Sequence, residues 1–284
     1  MHRRSWVAVL MLLTLPGCAR TADPGGPATT DPLDPSLVSA SYGGRFQTIG
    51  TVLESPEHGP QLCYSVADSY PPQCEGPDVV DWDWSAVEAE SASGTTWGTY
   101  RITGTWDDMT FALTEPAEAD SGTSYPEPER LRIPCPEPAG GWQPVDAERS
   151  GQADLDAADQ RASNSSGFAG DRVDQLGSYD NDPADLVYIV HTTGDARALE
   201  ADLRAVWGGS LCVVGGARFT EAEQLSMSEA LREEPGALWG GSPDGIGERV
   251  DLTVYVATVQ RQASLDERYG IGTVRQIALF EPLD

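Results

Sequence analysis

A chain of 284 residues with 45 acidic and 18 basic side chains carries a formal net charge of -27. Such a surface repels phosphate backbones and anionic lipid headgroups, so it excludes nucleic acid as a partner and leaves no electrostatic route to a membrane. Every basic residue is arginine, which excludes chemistry that needs a lysine amine: Schiff bases, the P-loop phosphate grip and Ser-Lys hydrolysis.

The chain opens with Arg3 and Arg4, an apolar run from Trp6 to Leu13, and then Leu15-Pro16-Gly17-Cys18. A basic start, a short apolar core and a small residue before the cut predict a secretory signal over residues 1–17. The core is shorter than the roughly 20 apolar residues a membrane-spanning helix needs. Leu15, Gly17 and Cys18 resemble a bacterial lipobox, which assigns Cys18 as the acylated residue. Two or more acyl chains anchor a protein firmly. Residues 18–41, rich in Pro, Gly and Thr, have little to bury and read as a flexible tether.

Residues 42–145 are β-rich. Phe46 to Glu54 and Gln61 to Val66 read as strands, and the runs Trp97–Trp106 and Met109–Thr114 flank Asp107-Asp108 as a hairpin. Short strands with glycine kinks predict a small closed or half-open β-barrel of OB-like kind, with four strands evident where five are wanted. Proline crowds Tyr125 to Pro144 and marks a boundary. Residues 146–185 form a linker whose first part, Asp146 to Gln160, suits a connecting helix.

From 186 to 284 the periodicity is clearer. Leu186–Val190 is a buried-type strand, Leu199, Leu203, Val206 and Trp207 recur at helical spacing, and Leu211–Val214 is a second strand. Thr220 and Glu223 form a capping box. Val250 to Val256 alternates as a strand, Leu265 and Tyr269 sit one helical turn apart before Gly270, and Val274–Phe280 is the last strand. This order predicts a ferredoxin-like α/β sandwich, making the whole chain α+β.

Four cysteines follow Cys18: Cys63, Cys74, Cys135 and Cys212. An even number in an exported chain predicts two disulfides rather than a metal site, since no Cys-x-x-Cys spacing occurs. Three pairings are open. The turn-rich stretch between Cys63 and Cys74 favours a local bridge, which leaves Cys135 for Cys212.

The anchored start, the Cys63 to Pro71-Pro72-Gln73-Cys74 loop with Asp81-Trp82-Asp83-Trp84, and Leu265-Asp266-Glu267-Arg268-Tyr269-Gly270 resemble a group of uncharacterised actinobacterial envelope lipoproteins. The group has no established activity, so the resemblance implies an address and no catalytic residues.

The residues themselves carry little chemistry. His58 lies in a turn, and His191 ends the Leu186–Val190 strand, where a satisfied strand-end histidine is the expectation. No Gly-x-Ser-x-Gly elbow occurs. Asp180-Asn181-Asp182-Pro183-Ala184-Asp185 lacks the glycine and glutamate of an EF-hand loop and reads as a solvated turn. Trp82, Trp84, Trp97 and Trp106 are expected as core and rim of the barrel rather than as a ligand surface. Trp207-Gly208-Gly209-Ser210 and Trp239-Gly240-Gly241-Ser242 suit either a vestigial repeat or two turns. The expected function is a non-catalytic lipoprotein on the outer face of the membrane, without cofactor or metal, binding an envelope protein or wall component. The alternative is an acid-dependent hydrolase of wall polysaccharide or peptide.

Overall fold

Alternation shapes the first long element. In β1 (Phe46–Ser55) the side chains of Phe46, Thr48 and Val52 are buried while the residues between them stay partly wet. The chain turns back through β2 (His58–Cys63), β3 (Asp78–Val80) and the short β4 (Glu90–Ala92) into the twelve-residue β5 (Thr95–Trp106), then β6 (Thr110–Leu113) and β7 (Glu118–Ala119). The structure, a computed structural model, describes residues 36–120, 133–176 and 182–283. The signal, Cys18 and most of the tether lie outside that set.

β1 pairs with β2, β2 with β3, β3 with β6, β6 with β5, and β5 returns to β1. The sheet is therefore ring-like. All these contacts are antiparallel except β3 with β6, which is parallel. Close approach inside the ring requires glycine at Gly104, where a Cβ would sit 2.2 Å from the Ala112 carbonyl oxygen. The ring encloses Phe46, Leu62, Val79, Ile102 and Phe111. Phe280, near the far end of the chain, is also fully buried there, 5.0 Å from Phe111 between ring centroids. It arrives through β14 (Glu281–Pro282), which pairs with the start of β1.

The second half repeats one motif. Helix α1 (Gln152–Ser163), β8 (Phe168–Gln175), β9 (Leu186–Thr192), α2 (Ala196–Leu203) and β10 (Ser210–Gly215) form a three-stranded sheet with its helices. Helix α3 (Glu221–Ala230), β11 (Ser242–Pro243), β12 (Val250–Val254), α4 (Val259–Tyr269) and β13 (Val274–Ala278) follow the same order. In each, the first strand runs antiparallel to the second and the second parallel to the third. Parallel neighbours need a crossover, and α2 and α4 supply it. The Trp-Gly-Gly-Ser stretches precede β10 and β11, which are not equivalent strands of the motif, so they are two turns and not its trace.

Burial explains the pairing of sheet with helix. All seven residues of β9 are buried, and Tyr188 and Val190 pack on Leu155, Ala158, Leu199 and Leu203. The opposite face, Val187 and Ile189, is covered by Ile133, Cys135 and Trp142. The Cys135–Cys212 disulfide, with 5.8 Å between Cα atoms, pins that irregular segment to β10. Cys63 and Cys74 form the second bridge, at 6.0 Å. The other sheet packs Val250, Leu252 and Val254 against Leu231 and Leu265.

The chain is thus mixed α+β, mostly sheet with few helices. Its folded body starts before residue 42: Val38 is buried, its N–H donates to the Ala257 carbonyl at 3.0 Å, and its carbonyl accepts from the Val259 N–H at 2.9 Å. Residues 36–41 of the expected tether therefore belong to the body. The polar β8 had no counterpart in the strand pattern expected for residues 146–185.

Candidate functional site

Among the described residues, two of the clefts along the ring sheet are the most voluminous of those seen. The larger, about 900 Å³, opens between the β1–β2 turn and the loop closed by Cys63–Cys74. One wall is Pro56, Glu57 and His58; the other is Pro71, Pro72 and Gln73. The structure thus brings together His58 and the Pro71-Pro72-Gln73-Cys74 run, which lie on different loops. The His58 Nδ1 lies 2.7 Å from the Gly59 carbonyl oxygen. Glu57 and Glu75 make the lining acidic, and no arginine is among the described residues that line it. Beside it Tyr70, 78% exposed, stands edge-on to Trp97 with ring centroids 5.7 Å apart. An exposed tyrosine held on a tryptophan is a pre-ordered apolar contact with a polar tip.

The smaller cleft, about 420 Å³, lies where the β5–β6 turn, the segment from Val38 to Tyr42 and the start of α4 meet. Its lining is aromatic: Trp106 and Tyr255 sit 5.0 Å apart, Tyr255 stacks on Phe280 and Trp106 meets Phe280 edge-on. Asp108 and Arg261 face it from different elements. Burial holds the Arg261 guanidinium below its ordinary pKa, opposed by the charges of Glu234 and Asp108.

The four tryptophans divide. Trp82 and Trp84 close on Tyr100 at 5.0 and 6.4 Å, and the Trp84 indole donates to Glu54 at 2.5 Å. They form the rim of the ring core, while Trp97 supports Tyr70 and Trp106 lines the smaller cleft.

His191 is buried in β9, and its Nε2 has no hydrogen-bond partner among the described residues. It is not the hydrogen-bonded strand-end residue expected. Burial lowers its pKa, the Arg172 charge lowers it further, and Asp244 opposes. The His191 ring lines neither cleft. Of the acidic run 180–185, Asp180 and Asn181 lie outside the described residues, and Asp182 caps a short turn by accepting from the Ala184 N–H at 2.9 Å. Among the described residues no group of three His, Cys, Asp or Glu side chains is placed to hold a metal ion.

One carboxylate pair escaped the sequence. Asp171 on β8 sits close to Asp159 on α1 and Tyr188 on β9, and its carboxyl is pushed up to about 6, first by burial and then by the Asp159 charge. Burial also raises the Tyr188 hydroxyl. With 45 acids in the chain, nothing marks these two until β8 is seen to lie under α1.

No family model, curated protein or solved structure matches this chain. The two disulfides fit an extracellular or secreted protein. No helix among the described residues is long and apolar enough to cross a membrane.

Proposed function

We propose that the chain is a non-catalytic envelope lipoprotein, anchored through Cys18 on the outer face of the membrane, that binds an envelope protein or wall component. The observation that carries the binding reading is the larger cleft: about 900 Å³, acidic, walled by a disulfide-closed proline loop, with Tyr70 exposed beside it. Rigid loops that present an aromatic contact lower the ordering cost of association. The pairing order of the ring, with β3 parallel to β6, supports an OB-like reading of the first half, a fold whose loops commonly bind extended ligands. The ferredoxin-like reading of the second half draws support only from its two β–α–β units, because they lie in separate sheets.

A specific observation favours the alternative, an acid-dependent hydrolase: a carboxyl at about 6 beside a second carboxylate is the pattern of a general acid and its partner. Against it, neither Asp159 nor Asp171 lines the clefts described above. The anchored-protein reading is tested by Cys18→Ser expressed in the native host. Wild type is expected in the membrane fraction and the variant in the soluble fraction. Equal membrane retention of both would overturn the acyl anchor.

A further inference from the structure

The smaller cleft presents two opposite charges, Asp108 and Arg261; the Glu234 carboxylate also acts on Arg261 but is itself paired with Arg268. In the β5–β6 turn, Asp107 is fully engaged: it accepts from the Met109 N–H at 3.0 Å and the Thr110 N–H at 2.7 Å, and from the Thr110 hydroxyl at 2.9 Å. Its neighbour Asp108 has no such duty. With φ at 76°, a left-handed conformation that aspartate tolerates better than most residues, Asp108 lines the cleft and has no hydrogen-bond partner among the described residues. Arg261 is held by one nitrogen only. Its Nη1 donates to the Val256 carbonyl at 2.8 Å and to Gln276 at 3.1 Å, which leaves its Nη2 without a protein partner among the described residues. Gly236 packs close to Nη2, where a Cβ would sit 2.7 Å away, and its φ of 78° suits glycine, so no side chain there covers the guanidinium.

Asp108 and Arg261 form no ion pair within 4 Å, and the Trp106 and Tyr255 rings lie in the same cleft. We infer that this cleft binds a small zwitterion, a free α-amino acid with an apolar or aromatic side chain. The ligand carboxylate meets the Arg261 guanidinium, its ammonium meets Asp108, and its side chain rests on Trp106 and Tyr255. Charge selects this class over simpler ions. A bare anion is repelled by a chain of net charge -27, and a bare cation faces Arg261, whereas a zwitterion is neutral at a distance and complementary on contact. About 420 Å³ also lies toward the small end of ligand pockets. Recognition of a planar carboxylate by a partly desolvated arginine is a favoured geometry. This site goes beyond the proposed partner cleft and stands or falls separately from it.

Calorimetric titration of the purified chain with L-phenylalanine, N-acetyl-L-phenylalanine and L-phenylalanine amide tests the inference. L-Phenylalanine is expected to bind, and blocking either end is expected to weaken it at least tenfold. Asp108→Asn should weaken L-phenylalanine at least tenfold and leave the N-acetyl compound unchanged. Asp108→Gly, which keeps the left-handed turn, should behave the same way. Equal binding of the three compounds, binding of L-phenylalanine unaffected by both variants, or no binding of L-phenylalanine at millimolar concentration would each overturn it.

Discussion

The ring sheet and the β8–β9–β10 sheet handle exposed strand edges in opposite ways. In the ring, β1 and β5 pair from Phe46–Gly104 through Glu54–Thr96, so the sheet returns on itself and its inside is filled by side chains of its own strands plus Phe280. Closure removes edges and needs no covering helix. The β8–β9–β10 sheet stays open, and both of its faces must be covered from elsewhere. Helices α1 and α2 cover one face; an irregular segment held by Cys135–Cys212 covers the other. The lesson is that the two disulfides do unequal structural work. Cys63–Cys74 shapes a loop at the margin of a ring closed by its own strand pairing, whereas Cys135–Cys212 attaches half of a core.

Removing the bridges one at a time sharpens this contrast. Cys135 and Cys212 are 77 residues apart and Cys63 and Cys74 only 11. Chain entropy alone then makes loss of the first cost about 4.5 kcal/mol and loss of the second about 3 kcal/mol. Urea unfolding of Cys135→Ala/Cys212→Ala and of Cys63→Ala/Cys74→Ala is expected to show that order, with a wider gap because only the first exposes Val187 and Ile189. Equal losses, or the reverse order, would break the comparison.

A smaller effect separates the regions by pH. The Asp171 carboxyl titrates near 6 in the folded chain, above its ordinary 3.8, so between those values the folded state holds a proton that the unfolded state has released. The stability this site contributes is therefore complete below about pH 4 and is lost as pH rises through 6. Asp171→Asn mimics the protonated form. It is expected to stabilise the chain by about 1 kcal/mol near pH 7.5, an amount reduced for the partial solvent screening of the site. The advantage should vanish below pH 4. A constant difference across that range in pH-dependent unfolding would show that the Asp159–Asp171 pair does not titrate with folding.

Much of this architecture was legible in the residues, and what was not has physical causes. The helices α3 and α4 follow from a capping box at Thr220 and a glycine stop at Gly270, which are local signals. The strand β8 was hidden because it is an edge strand in which Asp171, Arg172 and Asp174 interrupt the apolar pattern. β11 contains only two residues, one of them proline, tolerated at a sheet edge. The fifth strand of the ring, β3, is three residues long, too short to show a period. The smaller cleft joins residues far apart in sequence, such as Asp108 with Arg261, and the larger one sets two separate loops, Glu57 and Gln73, face to face, so no spacing announces either. Asp107 and Asp108 look alike in the sequence; only the turn geometry distinguishes the acid that holds the backbone from the one that faces the cleft.

The claim that this is a binding protein acting through its disulfide-walled cleft is tested most directly by position-specific photocrosslinking in the native envelope. A photoreactive residue replaces Gln73, exposed in the larger cleft, or Val173, 48% exposed on β8 as a control. The expected result is one discrete adduct, an envelope protein or a wall fragment, formed at position 73 and at least fivefold less at 173. Equal labelling from both positions, or no adduct from position 73, would contradict the account.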